Sequence, residues 1–248
     1  MTIISSEFLQ STGIVTSGMS TRHGGVSPEP FGMNLSFNVG DKKENVEKNR
    51  ELFFQALGIR SDWLAFPVQV HGNVVKHAET HGSYAECDGL ITNTPELYIG
   101  ISIADCVPIF IVETQRRVVA AFHAGWRGTL SMVALRGVEM MMKEFHCNPG
   151  HMVAYIGPSA SRCCYVVGSE VAEGFPQEFR IEDSGRTFVD LKAANAAQLI
   201  EAGISRDAIE ISQHCTIGDA HLFHSYRRDK ERSGRMMGVI GVRRERVR

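Results

Sequence analysis

Short apolar runs of β-strand length recur along the chain. They cover residues 97–103, 108–113, 118–122, 152–156, 209–213 and 236–242. Some, such as 118–122 (VVAAF), are apolar at every position rather than at alternate positions. A strand of this kind has both faces buried, so these runs predict strands inside a covered sheet.

Segments with helical periodicity lie between these runs. They cover residues 44–57, 129–145 and 191–202. The first and last are followed by Gly58 and Gly203, and glycine is enriched just past helix ends. Strands interleaved with helices predict an α/β (α+β) fold, in which helices pack outside mixed β-sheets.

The composition fits a single domain over residues 1–248. The 43% of hydrophobic residues can fill one large core, and no repeat or linker rich in Pro, Gly or Ser marks a boundary. A formal net charge of -2 gives no basic field, which argues against a nucleic-acid partner. The locally basic end, residues 243–248, is interpreted as a solvated tail.

Compartment and assembly follow from weaker features. No window approaches the roughly 20 apolar residues of a membrane-spanning helix, so no membrane partner is expected. Six cysteines lack the density of a disulfide scaffold, and the N-terminus MTIISSEFLQ has no signal-peptide pattern. These features predict a cytoplasmic protein with reduced thiols, either a monomer or a homodimer.

Three residues with metal-binding side chains follow strand-like segments. Cys106 comes after the run 97–103, His123 follows 118–122 directly, and His71 ends a third such segment. Each is therefore expected where a strand gives way to a loop. If the two runs are neighbours in one sheet, Cys106 and His123 converge at the same edge, where functional loops usually lie.

Two imidazoles and one thiolate suit zinc, and three protein ligands with an open fourth position are typical of catalytic zinc. The spacing adds little, because Cys106 lies 35 residues after His71 and 17 before His123, which matches no compact metal motif. From the residues alone, a half-buried cysteine near two hydrogen-bonded histidines is the commoner arrangement.

Seven stretches resemble the laccase-domain (YfiH-like) family. They are residues 20–27 (STRHGGVS), 69–72 (QVHG), 87–92 (CDGLIT), 104–108 (ADCVP), 123–128 (HAGWRG), 156–158 (IGP) and 225–228 (SYRR). The pairing of ADCVP with HAGWRG at this separation is specific, and the resemblance spans nearly the whole chain. It implies one domain with a three-layer α/β/α fold of mixed sheets.

The resemblance also implies a site and an activity. It places a zinc ion, with copper less favoured, on His71, Cys106 and His123, which are then also catalytic. The implied activity is phosphorolysis of purine nucleosides (adenosine, inosine, guanosine and methylthioadenosine), with adenosine deamination beside it. Purine nucleoside and phosphate are thus the expected partners. Older naming calls the family polyphenol oxidases or laccases.

Phosphorolysis requires a phosphate site on one side of the sugar and stabilisation of the leaving purine on the other. Arg22 and His23 precede two glycines whose backbone amides can approach an anion, and Arg127 follows His123 by four residues. We therefore predict Arg22, His23 and Arg127 as substrate-binding residues.

Deamination instead requires an activated water, and bound zinc lowers the pKa of water to about 7. Asp105 is predicted as a further catalytic residue. Asp105 or Asp88 could move the protons of this water, although fixing the tautomer of a ligand histidine is the slightly favoured role for Asp105. Tyr226 and Arg227 either line the pocket or pack at a strand edge.

Two other classes of enzyme stay open. A copper polyphenol oxidase gathers its metals largely through H-x-H pairs, and the sequence contains none. A cysteine amidohydrolase acting on cell-wall precursors would use Cys106 as nucleophile and His123 as base. The adjacent Cys163 and Cys164 are interpreted as a buried loop pair, since neighbouring cysteines seldom bridge.

Overall fold

The computed structural model describes residues 1–244, so residues 245–248 of the predicted basic tail lie outside the described part. Within it the strands, β1 to β15 in chain order, are Ile3–Ile4, Val15–Ser20, Leu64–Pro67, Val75–His77, Gly82–Tyr84, Gly89–Thr92, Tyr98–Ile103, Val107–Glu113, Val118–Ala124, Met152–Ile156, Val166–Val167, Arg180–Asp183, Arg186–Val189, Ile209–Ile211 and Met236–Val242. The α-helices in the same residues, α1 to α7, are Glu7–Ser11, Lys43–Leu57, Trp126–Leu130, Val133–Phe145, Ser169–Ala172, Leu191–Glu201 and Tyr226–Asp229. Among these helices, none combines the length and apolar character needed to cross a membrane.

Two six-stranded sheets form the centre of the described fold. The first has the order β1-β2-β15-β7-β3-β5, and the second has the order β14-β10-β8-β9-β6-β4. Both are mixed, because antiparallel pairs such as β8 with β9 stand beside parallel pairs such as β10 with β14. Strands β11, β13 and β12 form a separate small antiparallel sheet.

The two large sheets pack face to face. Ile101 of β7 and Phe110 of β8 belong to one buried cluster, which therefore joins both sheets. On the other face of the second sheet, Phe122 of β9 packs with apolar residues of α4 and α6. Phe53 of α2 and Val239 of β15 share a third cluster on the first sheet. The predicted α/β class with flanking helices is confirmed, and the sheet layer between the helices is double.

Four of the predicted strands, β7, β8, β9 and β14, have both limits within two residues of the predicted ones. The other two, β10 and β15, match at both ends. Helices α2 and α6 also match to within a residue. The predicted helix 129–145 is instead split into α3 and α4, with Met132 at a left-handed φ of 63° between them. Near the end of α3, the carbonyl oxygen of Thr129 accepts a hydrogen bond from Gln198 Nε2 of α6 at 2.8 Å.

Candidate functional site

Three potential metal ligands meet where β8 and β9 pair. His123 lies on β9 directly opposite Pro108 of β8, so the antiparallel register brings it alongside Cys106, which precedes β8 by one residue. Cys106 sits in the tight turn between β7 and β8, in which Asp105 has a left-handed φ of 90°. His71 reaches the same point from the loop after β3.

The donor atoms of His71, Cys106 and His123 all lie within 4.8 Å of one another. The two imidazole rings meet edge to face, with centroids 4.9 Å apart. His123 is buried and His71 is exposed, so the cluster is accessible from the His71 side. A Cβ atom at Gly125 would lie 3.1 Å from Cys106 Sγ and 3.2 Å from His71 Cδ2, so glycine keeps the space beside the donors free.

A single buried carboxylate, Asp88, organises both histidines. It accepts hydrogen bonds from the backbone N–H groups of Val70 (3.1 Å), His71 (2.9 Å) and Gly72 (2.7 Å). It also contacts His123 Nδ1 at 2.8 Å. Because a carboxylate accepts the Nδ1 proton, the Nε2 lone pair of His123 is left for a metal ion or a proton.

Gln69 fixes the loop that carries His71 to the first sheet. Its side-chain amide donates to Ser102 O at 3.0 Å and accepts from Ser102 N at 2.8 Å. Strand β3 already ends at Pro67, so His71 does not lie at a strand end as predicted. Its φ of 61° is left-handed, a conformation that an extended strand does not contain.

Cys106 and His123 also meet by a different route from the predicted one. The run before Cys106 is β7 of the first sheet, whereas His123 lies on β9 of the second sheet. The two residues converge because β8, which follows Cys106, is the hydrogen-bonded neighbour of β9. The condition of one shared sheet for the two runs is therefore not met, although the two side chains do converge.

The charges of this cluster influence one another. Burial raises the pKa of the Cys106 thiol, but His123 and His71 outweigh burial and lower the pKa to about 6. Burial lowers the pKa of His123, while Cys106 and Asp88 raise it to about 9. Burial raises the pKa of Asp88 too, yet its hydrogen bonds with His123 and the loop amides bring that pKa below the ordinary value. Without a metal ion, the geometry favours a thiolate beside an imidazolium at neutral pH.

Asp105 occupies a different position from the one expected of a histidine partner. Its carboxylate accepts from Thr216 Oγ1 at 2.7 Å and from the backbone N–H of Arg227 at 2.6 Å. The contact that sets a histidine tautomer belongs to Asp88 instead. Asp105 thus connects the turn before Cys106 to the start of α7.

The three donors line a cavity of about 830 Å³, a volume typical of small-molecule sites. Arg227 and Arg235 also line it, together with Tyr226, so the pocket-lining alternative for Tyr226 and Arg227 is confirmed. The Arg227 guanidinium lies 5.0 Å from the ring centre of Tyr165, and that of Arg235 lies 5.3 Å from the ring centre of Tyr226. This side of the cavity suits an anion.

Another part of the cavity is aromatic. The Arg50 guanidinium of α2 lies over the rings of Phe37 (4.4 Å) and Phe66 (5.1 Å), and all three residues line the cavity. Burial lowers the pKa of Arg50 to about 10, so it remains charged at neutral pH. Aromatic faces beside a fixed cation suit a flat heteroaromatic ring.

The remaining predicted substrate contacts lie elsewhere. Arg22 donates to Glu29 Oε2 at 3.0 Å and to the carbonyl of Ala220 at 3.2 Å, and His23 contacts the carbonyl of His221. The exposed Arg127 stacks on Trp126 with 4.2 Å between guanidinium and ring centre. Arg22, His23 and Arg127 are absent from the residues that line the cavity.

Sequence reasoning missed Arg50, Arg235 and the aromatic side of the cavity. Arg50 lies in a helix and Arg235 just before β15, and an arginine in such a position is ordinarily a solvent-exposed surface residue. The one available signal was the closeness of Arg50 to Phe53 and Phe54, which shows that this part of α2 faces the core.

The donor set fits a tetrahedral metal ion. Two imidazoles and a thiol whose pKa is depressed match zinc chemistry, and the exposed side of His71 leaves room for a fourth ligand. The hydrogen bond from Asp88 is the kind of outer contact that usually orients a metal-bound histidine.

Fold and site together define a class: a two-sheet α/β protein with a His–Cys–His cluster in an arginine-rich cavity. The sequence pattern of the family described as "Multi-copper polyphenol oxidoreductase laccase" matches residues 16–243. The chain belongs to this family.

Two relatives and one solved structure give this membership detail. The chain is 35% identical to "Purine nucleoside phosphorylase YlmD" of Geobacillus stearothermophilus, over 92% of this chain and 90% of that protein. It is also 35% identical to "Adenosine deaminase RL5" of an unknown prokaryotic organism, over 82% and 84% of the two chains. The crystal structure of YlmD from Geobacillus stearothermophilus superimposes with a TM-score of 0.89 at 33% identity, over 93% of this chain and 92% of that one.

Proposed function

We propose that the protein is a zinc-dependent purine nucleoside phosphorylase that also deaminates adenosine. One observation carries the proposal: the cavity places the His71, Cys106 and His123 donors together with the cations Arg227 and Arg235. A phosphorolytic site needs both an electrophilic centre and an anion site. The names of the relatives, a phosphorylase and a deaminase, support the same substrate class.

The residues take distinct roles in this proposal. Arg227 and Arg235 bind phosphate, because guanidinium groups match its oxygen atoms in number and geometry. Phe37, Phe66 and Arg50 hold the purine by stacking. Nucleoside and phosphate thereby share one cavity, which turns their encounter into an intramolecular step.

Proton control falls to the donor cluster and to Tyr165. Asp88 holds the His123 ring with its Nε2 toward Cys106, so that ring can coordinate a metal ion. Burial raises the pKa of Tyr165, so its hydroxyl keeps its proton at neutral pH and can donate into the cavity. A zinc ion bound to His71, Cys106 and His123 would supply a Lewis acid for the leaving base, or activate water for deamination.

The proposal includes a setting for the enzyme. We propose one domain over residues 1–248, since β9 contributes Phe122 to one large core cluster and Ala121 to the other. A cytoplasmic location fits the free state of the cysteines within residues 1–244. Both a monomer and a homodimer are compatible with the proposal.

A second candidate rests on one specific observation. Asp88 contacts His123, and His123 lies beside Cys106, so the three residues could act as orienting carboxylate, base and nucleophile. The pKa of Cys106 is lowered to about 6. This arrangement would serve a cysteine amidohydrolase, for instance on a cell-wall precursor. The copper oxidase reading has no comparable support beyond the family description.

The decisive experiment measures phosphate-dependent release of base from adenosine and inosine, before and after removal of metal with a chelator. We expect activity with phosphate, loss on chelation and recovery with Zn²⁺ rather than Cu²⁺. Elemental analysis of the active protein should find zinc. Full phosphorolysis by metal-free protein would exclude a role for zinc. Amide hydrolysis without metal would favour the cysteine hydrolase, and phenol oxidation dependent on copper would favour the oxidase.

A further inference from the structure

A second cluster of soft donor atoms lies outside the cavity. The Sγ atoms of Cys163, Cys164 and Cys215 all lie within 4.8 Å of one another, and those of Cys163 and Cys164 are 3.1 Å apart. Cys163 is exposed, Cys164 is partly buried and Cys215 is buried. The expectation of a buried pair is therefore wrong for Cys163, and it omitted Cys215, which lies some 50 residues later in the chain.

Two separate segments bring these thiols together. Cys163 and Cys164 lie in a turn closed by hydrogen bonds from the N–H groups of Cys164 (2.9 Å) and Tyr165 (3.0 Å) to the carbonyl of Ser161. Cys215 follows β14 and forms an isolated parallel bridge with Ser159. The three sulfur atoms therefore lie across a contact between two parts of the chain, where a shared ligand would join them.

The surroundings of Cys215 suit a thiolate. Its Sγ accepts hydrogen bonds from the backbone N–H groups of Ser161 and Gly218, each at 3.4 Å. The Lys192 ammonium group donates to the carbonyl oxygens of Ser212 (2.8 Å) and His214 (2.6 Å), so it places a positive charge beside the same segment. Amide donors and a nearby cation stabilise a deprotonated sulfur, which is the form that binds metal.

The spacing of the sulfur atoms suits a metal ion. With metal–sulfur bonds of about 2.3 Å, tetrahedral geometry puts two sulfur atoms about 3.8 Å apart. Cys163 and Cys164 would have to separate by about 0.7 Å to reach that distance, and the other pairs lie within 4.8 Å before any adjustment. Because Cys163 is exposed, solvent can supply a fourth ligand there.

We propose that Cys163, Cys164 and Cys215 form a second metal site that binds one thiophilic cation, Zn²⁺ or Cu⁺. Three cysteine sulfurs without histidine or carboxylate select cations of this soft class. Binding releases the thiol protons to solvent and involves no change in oxidation state. The site is independent of the cavity, because none of the three cysteines lines it.

The position of the site indicates what the ion would do. Tyr165, next to Cys164, lines the cavity, and Thr216, next to Cys215, donates to Asp105 Oδ1 at 2.7 Å. A bound ion would therefore tie together the two segments that support one side of the cavity. We assign it a structural role there, with no contact to substrate.

Metal content of dialysed protein, loaded separately with Zn²⁺ and with Cu⁺ under reducing conditions, tests the proposal. We expect two ions per chain in the unchanged protein, and one after Cys163→Ser with Cys164→Ser. Cys106→Ala should also hold one, and Cys147→Ser, a change at a buried cysteine outside both clusters, should hold two. A double variant that holds as many ions as the unchanged protein would overturn the proposal. An unchanged protein that holds one ion, which is lost in the double variant and kept in Cys106→Ala, would support it.

Thiol labelling of the unchanged protein gives a test that does not depend on the folding of variants. With a phosphine reductant present, added Zn²⁺ should slow iodoacetamide labelling of Cys163 and Cys164 at least tenfold, as read by peptide mass spectrometry. Labelling of the metal-free reduced protein should be fast at Cys163. Equal labelling rates with and without Zn²⁺ and Cu⁺ would overturn the site. Protection that appears only in oxidised protein, and that the reductant removes, would overturn it as well.

Discussion

The cavity has two walls that are held by different kinds of contact. The donor wall, formed by His71, Cys106 and His123, rests on strand register and on the buried Asp88, which takes four hydrogen bonds. The arginine wall, formed by Arg227 and Arg235, presents long side chains stacked on tyrosine rings. Buried hydrogen bonds fix atoms in place, whereas the exposed side chain of Arg227 can move. Arg235 is half-buried, and its Nη1 donates to the carbonyl oxygens of Ser233 (2.8 Å) and Gly234 (3.1 Å). The donor wall is thus preorganised, and in the arginine wall Arg227 can adapt to a bound anion.

Removing the thiol of the donor wall should have the largest effect. Cys106→Ala should abolish zinc binding in the cavity and lower both activities on the order of 10³-fold or more, since a metal ion supplies several kcal/mol of charge stabilisation. Cys106→Asp should keep part of the zinc and part of the activity, because a carboxylate also coordinates zinc. Kinetics and metal analysis of both variants would check this. A thioester trapped on Cys106 would contradict it.

Asp88 tests how far the donor wall depends on its buried carboxylate. Asp88→Asn should weaken zinc binding roughly 10- to 100-fold, the usual effect of losing the outer partner of a metal-bound histidine. A chelator competition titration measures it. Glu113→Gln is the matched control, because Glu113 is a buried carboxylate facing His151 (3.3 Å) at the far end of β8. If both variants weaken zinc binding equally, Asp88 acts only through general stability.

The arginine wall should respond selectively. Arg227→Ala should lower phosphorolysis about 10- to 100-fold and raise the KM for phosphate, because charge-assisted hydrogen bonds contribute about 1.5–3 kcal/mol. Adenosine deamination, which needs no anion, should change only a few-fold. The guanidinium of Arg22 contacts Glu29 outside the cavity, so Arg22→Ala should leave the KM for phosphate and the KM for adenosine nearly unchanged. A larger loss of phosphorolysis in Arg22→Ala than in Arg227→Ala would instead identify Arg22 as the phosphate-binding residue.

The smallest expected effect concerns the charge on Cys106 in metal-free protein. Its pKa is lowered to about 6, so the thiolate fraction and the alkylation rate should rise roughly tenfold from pH 5 to pH 7 and then level off. Burial and Glu113 raise the pKa of Cys147 to about 12, so Cys147 should stay unreactive over this range. Alkylation followed by peptide mass spectrometry separates the two. A rise for Cys106 only above pH 8 would show that the histidines do not stabilise its thiolate.

The sequence predicts some of this structure and leaves out other parts for physical reasons. The strands at the centre of the sheets were predictable because both faces are buried, whereas β2 is interrupted by Thr16, Ser17 and Gly18 and was missed. Short strands such as β4, with three half-buried residues, carry too few apolar positions to show a period.

The candidate site shows the same division. His71, Cys106 and His123 could be grouped because each lies in a distinctive local stretch. Arg50 could not, because its contact with Phe37 and Phe66 depends on how α2 packs on the first sheet, which no local pattern encodes. The pairing of Asp88 with His123 likewise arises from the register of β6 against β9, where Gly89 faces Phe122.

Gly125 lies where an added side chain would disturb the donor cluster directly. Its φ of −72° suits any residue, and a Cβ atom there would crowd Cys106 Sγ (3.1 Å) and His71 Cδ2 (3.2 Å), which would have to yield by a few tenths of an ångström. One added methyl group would press on two of the three donors while the strands and helices around it stayed intact. In duplicated copies of the gene, a change at position 125 would therefore disturb the donor cluster before it disturbed the fold.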